Sequence, residues 1–159
     1  MNKNNDNNML LQLCQLIKQN ENNAKERLNW DEYFMSIALL ASQRSPCERL
    51  KVGSVIIKDN RVISSGYNGF PSGAPHESIM RDGHEINTIH SEQNSISDSA
   101  KRGVAIEGAT IYITHFPCIN CVKYIISSGI KQIIYLDDYR NDDVVLELCK
   151  QVGVKIEKM

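Results

Sequence analysis

Apolar residues recur at helical spacing in the segment between Trp30 and Pro46. Such spacing places them on one face of a helix, which can then pack against a core. The positions on this face are Phe34, Ile37, Ala38 and Ala41. The pattern therefore predicts the first core helix of the chain, with Asp31 as its N-terminal cap.

Two β-branched runs follow this helix and predict a β-hairpin. They occupy residues 52–57 and 61–65, and the polar residues 58–60 separate them. The next stretch, GYNGFPSGAPH at residues 66–76, contains three glycines and two prolines. Such a composition predicts a shaped loop, which is a kind of segment that often carries function.

The remainder of the chain alternates between helical and strand patterns. The predicted elements are a helix from His90 to Gly103, a strand at 110–114, a helix at 117–129, a strand at 131–136, a helix at 142–151 and a short strand at 154–157. Alternation of this kind favours an α/β three-layer α-β-α sandwich in which the later strands are parallel.

The first 29 residues do not share this pattern. Five of the first eight are asparagine, so this end cannot bury apolar surface, and we expect it to be disordered. Residues 9–17 are apolar enough for a short helix, whereas residues 19–29 are polar. We therefore predict an N-terminal extension over residues 1–29 and one folded domain over residues 30–159.

The charge composition narrows the class of partner. The chain has 18 basic and 19 acidic residues, so no overall field draws it to nucleic acid or to an anionic membrane. No apolar run approaches the roughly 20 residues that span a bilayer, and the first residues lack the features of a signal peptide. These features predict a small-molecule partner, no membrane association and a cytoplasmic or otherwise intracellular location.

Two short motifs carry the candidate chemistry. His90 and Glu92 stand two residues apart in IHSEQN, and Cys118 and Cys121 stand three apart in PCINC. Two thiolates at the start of a helix share one face and can bind one metal ion, for which zinc is the natural choice. With His90 as the third ligand, the fourth tetrahedral position is left to water, and Glu92 is suited to move protons from that water to a substrate. A Cys-x-x-Cys pair alone is equally typical of a structural zinc site or a redox pair, so the catalytic interpretation depends on His90 and Glu92.

These motifs, together with KVGSVIIKDNRVISSGYNGFPSG and THFPCINC, resemble the deoxycytidylate (dCMP) deaminases of the zinc deaminase superfamily. The resemblance covers residues 30–159 and makes them the catalytic domain. It implies a cytidine deaminase-like sandwich with a mixed five-stranded sheet. It also implies hydrolytic deamination of dCMP to dUMP and ammonia, which supplies dUMP for dTTP synthesis. One catalytic Zn²⁺ would be held by His90, Cys118 and Cys121, with Glu92 as the catalytic residue.

The resemblance also assigns substrate contacts at matching positions. Asn68 would hydrogen-bond the deoxyribose, and the backbone amide of Ser91, where the family usually has alanine, would contact the pyrimidine carbonyl. The other matching positions are Asn94 in the His-x-Glu-x-Asn pattern, Phe116 beside the cysteines, Tyr139 at the base or sugar, and Lys101 and Arg102, near which some members carry a phosphate-selecting arginine. Without the resemblance, Asn68 is an ordinary turn residue and Tyr139 an ordinary loop aromatic. Lys101 and Arg102 then form a solvated helix end.

The glycine-rich loop also bears on regulation. Many members of the family are activated by dCTP, in company with Mg²⁺, and inhibited by dTTP through this loop, which here contains Gly69 and Gly73. The family usually forms hexamers or smaller rings, so we expect a homo-oligomer. Some members bind a second zinc through cysteines that residues 78–88 lack. Cys47, His76 and His84 are the remaining candidates for it, and we expect one zinc.

Two alternative functions remain open at this stage. The first is a deaminase that acts on dCTP, cytidine or another cytosine-containing small molecule, which would differ only in its sugar and phosphate contacts. The second is a non-catalytic zinc protein that retains the fold. Glu92 argues against the second, because proton transfer requires this carboxylate and folding does not.

Overall fold

The computed structural model describes residues 12, 14, 15, 17, 18, 27–82 and 84–159, with His84 described by its backbone alone. The predicted disorder of the N-terminus and most of the short helix at 9–17 lie outside the described residues. From residue 27 onward the elements are α1 (Trp30–Ser42), β1 (Gly53–Lys58), β2 (Arg61–Tyr67), β3 (Met80–Arg81), β4 (His84–Glu85), α2 (Ser91–Arg102), β5 (Thr110–His115), α3 (Ile119–Ser127), β6 (Gln132–Asp137), α4 (Asp143–Val152) and β7 (Lys155–Lys158).

Five strands form one mixed sheet in the order β2-β1-β5-β6-β7. Strand β1 is antiparallel to both β2 and β5, whereas β5, β6 and β7 are parallel to one another. The parallel half follows from its connections, because α3 links β5 to β6 and α4 links β6 to β7, as parallel strands require. The predicted α/β class and the parallel later strands are confirmed.

Two apolar clusters lie on opposite faces of this sheet. Val55 and Ile57 of β1 belong to the cluster under α1, whereas Ile56 belongs to the larger cluster that includes residues of α3 and α4. Successive residues of a strand point to opposite faces, so β1 is buried on both sides, and residues 55–57 are apolar without interruption. These clusters form the interior of the predicted three-layer sandwich.

The cap of α1 differs from the sequence prediction. Asn29, not Asp31, caps the helix: the Asn29 side chain accepts a hydrogen bond from the Glu32 amide at 2.9 Å, and the Glu32 carboxylate accepts one from the Asn29 amide at 2.8 Å. This reciprocal pair is a capping box. The Asp31 carboxylate instead accepts a hydrogen bond from the Tyr112 hydroxyl at 2.5 Å, which ties the start of α1 to the sheet.

The predicted hairpin is confirmed, and a second, smaller hairpin follows it. Asp59 and Asn60 form a two-residue turn with φ of 52° and 56°, as expected for a type I′ turn, and Lys58 belongs to β1. Residues 66 and 67 of the predicted loop extend β2. The sequence does not predict the hairpin β3–β4, because two-residue strands carry no periodic signal. No helix in the described part of the chain is long and apolar enough to cross a membrane.

Gly66 allows α2 to pack against β2 at very short range. A Cβ atom at this position would lie 2.3 Å from the Ser91 carbonyl oxygen and 2.6 Å from the Ser95 amide nitrogen. We expect Gly66→Ala to lower the free energy of unfolding by about 2 kcal/mol or more, because the helix backbone must move away from the sheet. Thermal unfolding followed by circular dichroism would measure the loss.

Gly69→Ala is the matched control for this substitution. A Cβ atom at Gly69 would have its nearest contact at 3.3 Å, with a side-chain atom of Pro46. We expect its midpoint to stay much closer to that of the wild type. An equal loss of stability in both variants would contradict the role of close backbone contact at Gly66.

Candidate active site

The N-terminal ends of α2 and α3 place the two sequence motifs side by side. His90 and Cys118 are the residues immediately before these helices, and both have the extended backbone of an N-cap. The free N–H groups and positive dipole ends of the two helices therefore face the same place. Pro117 lies in the turn just before the α3 cap, which is one of the two positions predicted for it.

One imidazole nitrogen and two sulfurs converge there. The Nδ1 atom of His90 lies 3.5 Å from the Cys118 sulfur and 3.3 Å from the Cys121 sulfur, and all three ligand atoms lie within 4.8 Å of one another. A tetrahedral zinc ion with Zn–S and Zn–N bonds of about 2.3 and 2.0 Å holds nitrogen and sulfur about 3.5 Å apart. The three donors therefore fit a zinc ion with one position left open.

The two cysteines differ in their protonation. A hydrogen bond from the Cys121 thiol lowers the pKa of Cys118 to about 4, and the contact with His90 acts in the same direction. The same bond, together with burial, raises the pKa of Cys121, and the contact with Cys118 raises the pKa of His90. Without metal, Cys118 is therefore a thiolate in contact with the Cys121 thiol and the His90 imidazole. A zinc ion would displace the Cys121 proton.

Glu92 lies in the first turn of α2 and is 4% exposed. Burial raises the pKa of its carboxyl group, and the hydroxyl of Ser91 donates a hydrogen bond to its Oε2 atom at 2.9 Å. A carboxyl group whose pKa is raised by burial holds a proton more readily than an exposed one, which suits it to proton exchange with a substrate.

A cavity of about 430 Å³ opens in front of these residues, and His90, Glu92 and Cys118 lie in its wall. The rest of the wall includes the loop between α1 and β1, the glycine-rich loop, the β3–β4 hairpin, the end of β5 and the loop after β6. This volume falls in the range of small-molecule sites.

Four of the predicted substrate residues line this cavity. They are Asn68, Ser91, Phe116 and Tyr139. Phe116 is buried and packs edge-to-face on Tyr135, whereas the half-buried Tyr139 packs edge-to-face on His115. The cavity therefore has an aromatic wall beside the zinc ligands, and the individual contacts to substrate stay predictions.

Asn68 has a second role that the sequence does not reveal. Its side-chain oxygen accepts a hydrogen bond from the Val52 amide at 2.8 Å, and its side-chain nitrogen donates one to the Leu50 carbonyl at 2.9 Å. These two bonds use one amide hydrogen and one lone pair of the Asn68 side chain. The residue thus fixes the loop before β1 as well as facing the cavity.

Asn94, Lys101 and Arg102 do not line the cavity in the described structure. The Asn94 side chain donates a hydrogen bond to the Tyr67 carbonyl and so joins α2 to the end of β2. Arg102 forms an ion pair of 2.7 Å with Asp98 and also bonds the Ile63 carbonyl. Because α2 rises about 1.5 Å per residue, its C-terminal end lies about 18 Å from His90. Within one chain, Lys101 and Arg102 therefore lie at a helix end away from the cavity, and their assignment to a phosphate stays a prediction.

The two loop glycines also lie outside the cavity wall. Gly69 exchanges two backbone hydrogen bonds with Ile89, of 3.1 and 2.9 Å, and so holds the loop beside His90. Gly73 has a φ of 87° and is exposed. An effector role for either glycine stays a prediction.

A second zinc site is not formed by the side chains that the structure describes. Cys47 and His76 both face the cavity, but the side chain of His84 lies outside the description. Among described residues, one group of three potential ligands is close enough to hold a metal, namely His90, Cys118 and Cys121.

Several cavity residues are not predicted from the sequence. They include Arg49, Phe70 and His115, and also His76, which the sequence names only as a candidate ligand of a second zinc. Phe70 and His76 stack with their ring centroids 5.2 Å apart, and burial lowers the pKa of His115. Phe70 and His76 belong to the loop that composition marks as functional. Arg49 adjoins one quoted motif and His115 lies within another, THFPCINC, but no sequence pattern assigns either residue a role.

Comparison with known proteins agrees with the family resemblance seen in the sequence motifs. The family described as "Cytidine and deoxycytidylate deaminase zinc-binding region" matches residues 28–137. ComE operon protein 2 of Bacillus subtilis is 44% identical over 138 residues, which are 84% of this chain and 73% of that protein. The deoxycytidylate deaminase of Schizosaccharomyces pombe is 33% identical, over 98% of this chain and 52% of that protein.

Solved structures agree with this match. A dCMP deaminase from the cyanophage S-TIM5, crystallised with dCMP and dUMP, superimposes with a TM-score of 0.76 at 35% identity, over 84% of this chain and 99% of that chain. This chain thus spans about half of the fission yeast protein and nearly all of the phage protein in the regions compared. It belongs to the family of cytidine and deoxycytidylate deaminases that carry this zinc-binding region.

Proposed function

We propose that this chain is a zinc-dependent deaminase that converts dCMP and water to dUMP and ammonia. The observation that carries the proposal is the convergence of His90, Cys118 and Cys121 beside the buried Glu92, in the wall of a cavity of about 430 Å³. The similar cyanophage enzyme, which was crystallised with dCMP and dUMP, supports this choice of substrate.

In this proposal, residues at the starts of α2 and α3 would hold the zinc and move the protons. His90, Cys118 and Cys121 hold the ion. Zinc bound there supplies a Lewis acid, which lowers the pKa of a water molecule. Glu92 accepts a proton from water and delivers protons to the ring nitrogen and the leaving amine of cytosine. The Ser91 hydroxyl keeps the Glu92 carboxyl in one orientation through the 2.9 Å hydrogen bond to Oε2.

The cavity wall would hold the base in place for this reaction. Phe116 and Tyr139 provide aromatic surface, and the backbone amide of Ser91 lies in the first turn of α2, where N–H groups have no partner within the helix. That amide can bond the pyrimidine carbonyl without any contribution from the side chain. The presence of serine at this position is therefore compatible with catalysis.

The remaining expectations are part of the same proposal. Residues 30–159 would form the catalytic domain, the chain would assemble into a homo-oligomer, and the enzyme would act inside the cell. Activation by dCTP with Mg²⁺ and inhibition by dTTP through the glycine-rich loop stay predictions.

A substrate panel tests the proposal. We expect zinc-loaded protein to deaminate dCMP faster than CMP, deoxycytidine or dCTP, as measured by the loss of ultraviolet absorbance. Each assay is repeated with added dCTP and Mg²⁺, and stimulation of dCMP turnover would support allosteric activation. A higher kcat/KM for dCTP or a nucleoside would favour the alternative deaminase. Absence of turnover in every assay, with zinc bound, would favour the non-catalytic alternative.

A further inference from the structure

The loop between β6 and α4 places Tyr139 in the cavity wall, and one side chain of the same loop holds the Tyr139 backbone. The Tyr139 amide donates a hydrogen bond to the Asn141 side-chain oxygen at 3.0 Å. The Asn141 side-chain nitrogen donates one to the Asp138 carboxylate at 2.8 Å. Asn141 therefore uses both its oxygen and its nitrogen to close the loop around Tyr139.

Both ends of this loop are anchored outside it. Asp138 forms an ion pair with Lys158 of β7, and the hydrogen bonds from Lys158 and Asn141 lower the pKa of Asp138. The carboxylate is therefore a charged acceptor at neutral pH. At the other end, Asp142 caps α4. Between the two ends, Arg140 has a φ of 47°, which a non-glycine residue keeps where its surroundings hold it.

The ring of Tyr139 also has partners within the protein. It packs edge-to-face on His115 of β5, with the ring centroids 6.1 Å apart and the planes at 88°. The guanidinium carbon of Arg140 lies 5.6 Å from the Tyr139 ring centroid. The position of the ring in the cavity wall therefore depends on its own contacts and on the backbone that Asn141 holds.

We propose that Asn141 is a positioning residue, which holds Tyr139 where its ring contacts the nucleoside part of the substrate. Asn141 does not belong to the described cavity wall, so its effect on a ligand is transmitted by the loop. A loop that is fixed before binding loses less conformational entropy when the ligand arrives. The inference rests on the proposed function, because the ligand must be a pyrimidine nucleotide or nucleoside.

A double-mutant cycle of dUMP binding to zinc-loaded protein, measured by calorimetry, tests this role without turnover. Tyr139→Ala should weaken binding about 10-fold, as the loss of an aromatic contact with a base does. Asn141→Ala should weaken binding about 5-fold in the wild type, as the loss of one hydrogen bond allows, but less than about 2-fold in Tyr139→Ala. Without the ring, the position of the loop no longer affects the ligand.

Three further readouts distinguish positioning from a general effect on the fold. Deoxyuridine should show the same factors as dUMP, because the contact is with the nucleoside. The KM for dCMP should rise in Asn141→Ala while kcat stays near that of the wild type. Gln151→Ala is the control, because Gln151 is an exposed amide of α4 that bonds Glu147. It should bind dUMP as the wild type does, and both single variants should keep their zinc and thermal midpoint.

Several outcomes would overturn the inference. They are no binding of either ligand by the wild type, unchanged binding in either Tyr139→Ala or Asn141→Ala, and equal weakening by Asn141→Ala in both backgrounds. Weaker binding of dUMP alone would also overturn it, since the loop would then act on the phosphate, as would loss of zinc in Asn141→Ala. If the two residues are coupled but dCMP is not deaminated, the positioning role stands and the proposed reaction is wrong.

Discussion

Glu92→Gln is expected to reduce dCMP turnover by a factor of about 100 to 10,000 while zinc content and fold remain unchanged. Glutamine has nearly the same shape as glutamate and can still accept a hydrogen bond from the Ser91 hydroxyl, which now reaches Oε2 at 2.9 Å. It cannot take up or deliver a proton at neutral pH. The loss should therefore fall on kcat, with dUMP binding close to that of the wild type.

Three measurements are needed to interpret this variant. They are the rate of dCMP loss, zinc content by atomic absorption, and the midpoint of thermal unfolding. Glu147→Gln is the control, because Glu147 is an exposed glutamate of α4 that bonds only Gln151 among the described residues. Turnover of Glu92→Gln near the wild-type rate would remove Glu92 from the mechanism. A loss of zinc in this variant would show instead that the carboxyl group supports the metal site.

Local signals account for the parts of the fold that the sequence predicts well. Gly103 ends α2 with a φ of 65°, and Asp142 caps α4 by accepting a hydrogen bond from the Val144 amide at 2.9 Å. Such end signals act within a few residues, so they can be read directly from the chain. The cap of α1 is the exception. Asn29 and Asp31 are both suitable cap residues, and only the structure shows that Asp31 bonds Tyr112.

The residues of the candidate site also fall into two groups, those that sequence motifs predict and those that only the structure reveals. His90 and Glu92 are recognisable by their spacing, as are Cys118 and Cys121, because metal binding and proton transfer demand these residue types close together. Arg49 reaches the cavity because Asn68 anchors its loop through residues 50 and 52, and no sequence pattern records such a contact. Lys101 and Arg102 lie away from the cavity for a geometric reason, and their assignment to a phosphate stays a prediction. Position in a motif does not show that α2 carries them about 18 Å from the chemistry.

Cys118→Ala is expected to abolish activity by removing zinc. The variant retains His90 and Cys121 as ligands, and structural zinc sites with four ligands bind with about 10 to 16 kcal/mol, or roughly 3 kcal/mol per ligand. Zinc affinity should therefore fall at least about 100-fold, and the ion should be lost on dialysis against a chelator that the wild type resists. Because the Cys118 side chain is exposed, the fold should persist and unfold at nearly the temperature of the metal-free wild type.

Cys47→Ala provides the matched control for the loss of zinc. Cys47 faces the same cavity but does not belong to the ligand group of His90, Cys118 and Cys121. We expect this variant to keep one zinc per chain and most of its activity, whereas Cys118→Ala keeps neither. Stoichiometric zinc in Cys118→Ala would reject this ligand set. A lower zinc content in Cys47→Ala would show that a metal also binds elsewhere in the cavity, with Cys47 among its ligands.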